Sequence, residues 1–145
     1  MAVRFEQEFS EHLKGKVNYG VKIRYIEEFN GSDRVQVEAS LDNGEGGGMF
    51  LVEGADIVLF GPSPLLSIVP HVTEFIENGF MLSVSSALIG AVGPIVGKCL
   101  GGENTPGRSR VRACIESQMG EMLKQAAEAT KACLNNYLPR AALEP

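Results

Sequence analysis

Hydrophobic and polar residues alternate along two neighbouring segments of the chain, 17–25 and 35–41. Alternation at every second position is typical of a β-strand with one buried face and one wet face. Asn30 and Gly31 lie between the two segments, and this dipeptide is a strong signal for a chain reversal. The pattern therefore predicts an antiparallel hairpin whose polar face meets solvent or a partner.

The N-terminal residues 3–14 fit two different periodicities. Phe5, Phe9 and Leu13 recur at the spacing of one helix face, and Gly15 would end that helix. The aromatic residues of this segment also suit an alternating strand. We predict a helix here, with a strand as the alternative.

Three further strands are predicted after the hairpin. Residues 49–52 form a short apolar strand. The segment 56–60 (DIVLF) does not alternate, as expected for a central strand with both faces covered. Residues 80–85 (FMLSVS) form the last predicted strand.

A helix is predicted between the last two of these strands. Ser63 suits the N-cap, Pro64 the first helical position and Gly79 the C-terminal stop. Pro70 would kink or split this helix, because an interior proline removes a backbone hydrogen bond. A strand, a helix and a strand within about 30 residues make a βαβ unit, which implies a parallel strand pair.

No charged residue occurs between positions 80 and 97. Three interpretations compete for this run: a membrane span, a strand followed by a glycine-rich ligand loop, or core. A span needs about 20 largely apolar residues, and the serines, glycines and proline here lower the hydrophobicity. We favour the second or the third interpretation and predict no membrane association. Residues 87–102 are predicted to contain a short helix broken at Gly93 and Pro94.

A long amphipathic helix is predicted from Thr105 to Leu138, with Pro139 ending it. Its apolar residues recur at alternating steps of four and three, and such a stripe covers a sheet or forms a helix–helix seam. The stripe consists of Ile115, Met119, Met122, Ala126, Ala129 and Cys133.

Together these elements predict one globular domain, 1–145, of the α+β or α/β class. Its core would be a mixed sheet of about five strands, built from an antiparallel hairpin and a βαβ unit. Helices would pack on this sheet, among them the long C-terminal helix.

Charge and cysteine content narrow the possible environments and partners. The net charge of −5 argues against a nucleic-acid partner, which would require a basic face. Cys99, Cys114 and Cys133 are an odd number of cysteines at wide spacing, which is no disulfide framework. We therefore predict reduced thiols and a cytoplasmic location. We predict no metal, because His12 and His71 are the only histidines and no CxxC or HxxxH spacing occurs.

Two candidate anion sites lie where predicted strands end. Gly61 and Ser63 follow one strand and begin a helix, whose N–H groups and dipole favour an anion. Ser85 and Ser86 end the next strand, on the same edge of a parallel pair. Backbone amides near the glycines that follow would cradle a phosphate or carboxylate, whereas close packing is the alternative role of those glycines. They are Gly90, Gly93 and Gly97.

The third candidate is the start of the long helix, which carries Arg108, Arg110 and Arg112. Positive charge opposes the helix dipole at this end, so an anion bound between Arg108 or Arg110 and the helix start would resolve the conflict. The alternative is a solvated face.

The sequence predicts a small soluble protein that binds an anionic small molecule at strand C-terminal ends and helix N-termini. It would serve as a binding protein, an enzyme or an enzyme subunit. The alternative is a non-catalytic oligomeric accessory module with the C-terminal helix as its interface. A homo-oligomer is expected, and no residue pattern identifies a cofactor or a catalytic group.

Overall fold

In the computed structural model, strands precede helices along the chain. The structure describes residues 2–13, 17–29, 32–42, 50–59, 67–74, 80–101 and 107–141. The strands are β1 (Ala2–Leu13), β2 (Val17–Glu27), β3 (Arg34–Asp42), β4 (Phe50–Val58) and β5 (Ser67–Glu74). The helices are α1 (Phe80–Leu100) and α2 (Arg108–Ala141). This segregation of strands and helices confirms the α+β class.

The sheet is an antiparallel meander in the order β1-β2-β3-β4-β5. The predicted hairpin is confirmed, because β2 pairs with β3 in the register that sets Ile23 opposite Val37. These inward residues are buried, as are Tyr25 and Val35, which form the next inward pair. β-Branched and aromatic side chains at every second position suit a pleated surface with one covered face.

Both helices cover the same face of the sheet. α1 packs on β3, β4 and β5, whereas α2 packs on β1 and β2. Removing each large apolar side chain from water contributes roughly 1.5–3 kcal/mol. The largest buried side chains include Tyr25, Ile23, Ile57, Leu59, Leu88, Ile115, Met119 and Met122.

The other face of the sheet carries the polar residues of the alternating pattern. Arg24 is at its centre and donates hydrogen bonds to Glu6 (2.5 Å), to Gln36 (2.8 Å) and to Glu38. Lys22 forms an ion pair with Glu8 on the neighbouring strand. These cross-strand pairs join β1, β2 and β3 on the side away from the helices.

The prediction of a helix over residues 3–14 is wrong, because β1 occupies this segment. Phe5 lies opposite Tyr25 in the register of β1 and β2, and the two rings stack with centroids 5.0 Å apart. The aromatic spacing fits both periodicities locally. Pairing with β2 decided between them, because it places Phe5 against the buried ring of Tyr25 in the core.

The predicted βαβ unit and the mixed sheet are also wrong. Residues 67–74 form β5, which is antiparallel to β4, and every strand pair among the described residues is antiparallel. Pro70 is tolerated in β5 because an edge strand leaves some of its N–H groups outside the ladder.

The predicted strand 80–85 is instead the first part of α1. The helical signal is a stripe of buried residues, Val84, Leu88, Val92, Val96 and Cys99. α1 continues through Pro94, so the predicted break at Gly93 and Pro94 is also wrong. No helix within the described ranges combines the length and the apolar character needed to cross a membrane.

The prediction of a long amphipathic C-terminal helix is confirmed. α2 begins at Arg108 and continues past Pro139 to Ala141. Ile115, Met119 and Met122 of its apolar stripe are buried in the core with the strands. The stripe therefore covers the sheet, which is the first of the two roles that its spacing allows.

Candidate functional site

Arg108, the first residue of α2, is paired with a carboxylate of the same chain. Its guanidinium donates two hydrogen bonds to Asp33, from Nε at 2.8 Å and from a terminal nitrogen at 2.5 Å. Asp33 is fully buried just before β3 begins. The same guanidinium also donates to the backbone carbonyl of Glu28, at 3.1 Å. The start of α2 is thus attached to the β2–β3 turn.

Two further donors satisfy the Asp33 carboxylate. The Tyr25 hydroxyl donates at 2.5 Å, and the Glu28 backbone N–H donates at 3.2 Å. Burial alone would raise the pKa of Asp33, but the hydrogen bonds from Arg108, Tyr25 and Glu28 outweigh it and lower the pKa. Burial, reinforced by Asp33, raises the pKa of Tyr25. Asp33 is therefore charged and Tyr25 neutral near pH 7.

Glu27 supplies a second carboxylate at the start of α2. It forms ion pairs with Arg4 (2.7 Å), Arg112 (2.6 Å) and Arg108 (3.4 Å). Carboxylates beside the first turn of a helix suit its dipole. The electrostatic conflict that suggested an external anion is thus relieved within the chain.

The other predicted site residues lie apart from Arg108. Gly61 and Ser63 are outside the described residues, and Arg110 is exposed. Ser85 is buried and Ser86 exposed, both in α1. Ser85 lies about 14 residues, or roughly 21 Å, along α1 from Cys99, which is bonded to α2 near its start. The serines and Arg108 therefore lie at opposite ends of the helix pair.

The glycines of α1 are not points of close packing. A Cβ added at Gly90, Gly93 or Gly97 would meet nothing within 4 Å. Gly90 is exposed and lines an open groove of about 470 Å³ between α1 and α2. The close-packing role is therefore wrong for these three positions.

The α1–α2 groove contains a disulfide. Cys99 and Cys114 are bonded, with their Cα atoms 5.6 Å apart, and both line the groove. The prediction of reduced thiols is wrong for these two residues, because the helix hairpin brings together cysteines whose spacing carries no disulfide signal. The cytoplasmic location rested on reduced thiols and stays a prediction without that support.

A second cleft, the β1–α2 cleft, lies between the edge strand and α2. It measures about 350 Å³ and is lined by Phe9, Glu11, Tyr19, Gly120, Leu123, Lys124, Ala127, Glu128 and Lys131. Phe9 remains 41% exposed there, and its ring lies 6.1 Å from that of Tyr19. Two aromatic rings therefore line the cleft, and that of Phe9 remains partly exposed to solvent.

Charged groups also line the β1–α2 cleft. Glu11 accepts a hydrogen bond from the Tyr19 hydroxyl (2.7 Å) and one from Lys131 Nζ (3.3 Å). The hydrogen bond from Tyr19, followed by that from Lys131, lowers the pKa of Glu11. Burial, with a further contribution from Glu11, raises the pKa of Tyr19. Near neutral pH the cleft therefore presents the Glu11 carboxylate and the neutral phenol of Tyr19, with the Lys131 side chain paired to Glu11.

Sequence reasoning did not identify the β1–α2 cleft. The available signal was Phe9, an aromatic residue that faces inward from an edge strand. Because residues 3–14 were interpreted as a helix, Phe9 was not placed on an edge strand. Across the described ranges, no group of three or more His, Cys, Asp or Glu side chains is arranged to hold a metal ion.

Comparisons with protein-family models, with curated proteins and with solved structures find no match for this chain. The two clefts and the buried charges are therefore the features from which a function can be inferred.

Proposed function

We propose that this protein binds a small molecule with an apolar body and an anionic group in the β1–α2 cleft. The observation that carries the proposal is the partly uncovered Phe9 ring beside lysines of α2. Ligand pockets commonly measure roughly 300–1,000 Å³ and combine apolar walls with a few placed polar groups. The proposal keeps the predicted ligand class and moves its site away from the helix starts.

The apolar body of the ligand would lie on Phe9 and Tyr19, opposite Leu123. Phe9 is the least buried of these side chains, so a bound ligand would remove its exposed ring surface from water. Apolar burial contributes about 25 cal/mol per Å², so covering one ring face favours binding without any change of fold.

The anionic group would lie on the α2 side of the cleft. Lys124 and Lys131 are seven residues apart, which places both on the cleft-lining side of the helix. Lys131 is paired with Glu11. Lys124 is exposed and forms no ion pair within the described part of the chain, so it can pair with an anion without breaking an existing contact.

Two fluorescent probes test this assignment: 1-anilinonaphthalene-8-sulfonate, which is anionic, and uncharged N-phenyl-1-naphthylamine. We expect both to bind and Lys124→Ala to weaken only the sulfonate, by about tenfold or 1.4 kcal/mol. Gly120→Phe should abolish binding of both, because Gly120 lines the cleft and an added Cβ meets nothing within 4 Å. Circular dichroism would confirm that each variant is folded.

Gly90→Phe is the matched control, since Gly90 is equally open but lines the α1–α2 groove. It should leave binding unchanged. Unchanged binding in folded Gly120→Phe would overturn the proposal. Loss of sulfonate binding in Arg110→Ala alone would return the site to the start of α2.

A second candidate function, self-association, is favoured by the edge strand β1. On the side away from β2, no strand among the described residues pairs with β1, and its Val3 and Phe9 are exposed. Strand pairing between two copies would cover both. This interface replaces the predicted one on α2, whose apolar stripe is buried against the sheet.

Native mass spectrometry tests self-association. Val3→Lys should shift an oligomer towards monomer. Phe29→Lys is the control, since Phe29 is 98% exposed but lies in the β2–β3 turn. A monomeric wild-type protein at high concentration would exclude this candidate, as would dissociation caused by Phe29→Lys alone.

A further inference from the structure

We infer that the Cys99–Cys114 disulfide is a thiol-exchange site, at which a low-molecular-weight thiol such as glutathione enters the α1–α2 groove and forms a mixed disulfide with Cys114. This inference is independent of the proposed ligand in the β1–α2 cleft. It assigns a modification site to a cysteine pair whose spacing predicted no bond.

Access to the disulfide is asymmetric. Both sulfur-bearing side chains line the groove, but Cys99 is buried whereas Cys114 is half-buried. Disulfide exchange depends on which sulfur an attacking thiolate can reach, and exposed disulfides are the labile ones. Cys114 is therefore the sulfur open to attack, and Cys99 is the leaving group.

The groove also contains groups suited to an anionic thiol. Lys98 is exposed beside Cys99 and lines the same groove. Its ammonium group favours the thiolate form of an incoming thiol and attracts carboxylates such as those of glutathione. Gln118 and Gln125 line the groove as uncharged polar groups, and Gln125 donates a hydrogen bond of 2.9 Å to Glu121, the lining carboxylate, which would repel an anion.

The exchange proceeds in two balanced steps. In the first, the thiolate of the small thiol attacks Cys114 Sγ, a new S–S bond forms, and the Cys99–Cys114 bond breaks. Cys99 leaves with the electron pair as a thiolate and takes a proton from water. In the second, the thiolate of a second molecule of the small thiol attacks the small-molecule sulfur of the mixed disulfide. Cys114 leaves as a thiolate, and the small thiol is oxidised to its own disulfide.

Reduction would release one of the attachments of α2 and spare another. Cys114 joins α2 to the end of α1, whereas Arg108 joins the start of α2 to Asp33 in the β2–β3 turn. Losing the covalent bond therefore frees the C-terminal end of α1 while the first turn of α2 stays in place. Reduction should therefore loosen the end of α1 without loosening the first turn of α2, and this difference can be measured.

The test uses the folded Cys133→Ser variant, which lacks the third cysteine. Reduced glutathione is added without denaturant, thiols are blocked at intervals, and intact and peptide masses are measured. We expect a mixed disulfide at Cys114, followed by the dithiol. Lys98→Ala should slow the reaction with glutathione several-fold and slow that with 2-mercaptoethanol, which has no carboxylates, to a smaller extent.

Two single-cysteine variants, also with Cys133→Ser, test the asymmetry from the opposite direction. With oxidised glutathione, folded Cys99→Ser should accept one glutathione at Cys114 at least about tenfold faster than folded Cys114→Ser accepts it at Cys99, following the difference in access. Equal rates in the two variants, or a mixed disulfide mapped to Cys99 in the protein that retains both Cys99 and Cys114, would overturn the assignment.

Hydrogen exchange reports the structural consequence. After reduction, amides near the end of α1 should exchange faster, whereas amides of the first turn of α2 should not. A disulfide that glutathione reduces only in denaturant would overturn the inference and make the bond a purely structural crosslink. Unchanged exchange in α1 after complete reduction would overturn the proposed release.

Discussion

The carboxylate of Asp33 and the guanidinium of Arg108 lie 75 residues apart in the chain and form two hydrogen bonds, of 2.8 and 2.5 Å. Asp33 is buried, and its remaining contacts come from Tyr25 and the Glu28 backbone. A buried carboxylate costs several kcal/mol unless it is paired and hydrogen-bonded. The pair therefore positions the start of α2 on the β2–β3 turn, and both residues are needed together.

Removing the Arg108 side chain should destabilise the fold. Arg108→Ala leaves the buried Asp33 carboxylate without its cation, so the free energy of unfolding should fall clearly. Urea denaturation measures this change. Arg110→Ala is the matched control two residues away on the exposed surface, and it should change stability by no more than about 0.5 kcal/mol. Equal effects of the two substitutions would contradict the role given to the pair.

The same pair predicts a dependence of stability on pH. The pKa of Asp33 is lower in the folded protein than its ordinary value of 3.8, so the folded state favours the charged carboxylate. This stabilisation is complete above the unfolded pKa of about 4 and is lost as the pH falls through the folded pKa. Urea unfolding between pH 7 and pH 3 should show a steeper acid loss in wild type than in Asp33→Asn. Parallel curves would remove Asp33 from the acid transition.

Two glycines should respond oppositely to the same substitution. A Cβ at Gly54 would lie 2.1 Å from the Val37 carbonyl oxygen on the neighbouring strand, so Gly54→Ala must displace β3 and should cost about 3 kcal/mol. Gly90→Ala meets no atom within 4 Å in α1 and should stabilise by about 0.8 kcal/mol through helix propensity. Thermal unfolding of the two variants checks both signs. Destabilisation by Gly90→Ala would show that α1 needs a glycine there.

A substitution at Met119 tests whether the apolar stripe of α2 belongs to the core or to an interface between copies. Its side chain is 1% exposed in the core, so Met119→Lys should cost about 4 kcal/mol or more by burying a charge. Glu121→Lys, on the exposed surface of the same helix, should change stability by no more than about 0.5 kcal/mol. Circular dichroism and native mass spectrometry would separate unfolding from dissociation. A folded Met119→Lys protein with only an altered oligomeric state would restore α2 as an interface.

Elements with a strong local period were predictable from the sequence. The β2–β3 hairpin alternates over two segments around a reversal signal, and the stripe of α2 recurs over many turns. In both, the side chains that must be buried are marked by their own spacing, so the burial requirement is visible without the rest of the molecule. The long C-terminal helix followed from its own stripe, whereas the sequence left both the α+β and the α/β class open and the structure decided for α+β.

Ambiguous segments were decided by their tertiary partners. Phe5 and Phe9 fit a helix or a strand, and pairing with β2 selected the strand. Val84 lies in the predicted strand 80–85, and the packing of α1 on β3, β4 and β5 selected the helix. The helical spacing was present in the sequence, but serines and β-branched residues around it suggested a strand.

The sequence by itself determined a polar-faced hairpin and a long amphipathic helix near the C-terminus. Only the tertiary structure decided that Asp33 would neutralise Arg108, that Cys99 would meet Cys114, and that Phe9 would face α2 across a cleft. The physical reason is sequence separation. Periodicity reports which side of an element is buried, whereas the identity of a distant partner depends on how the packed elements are arranged in space.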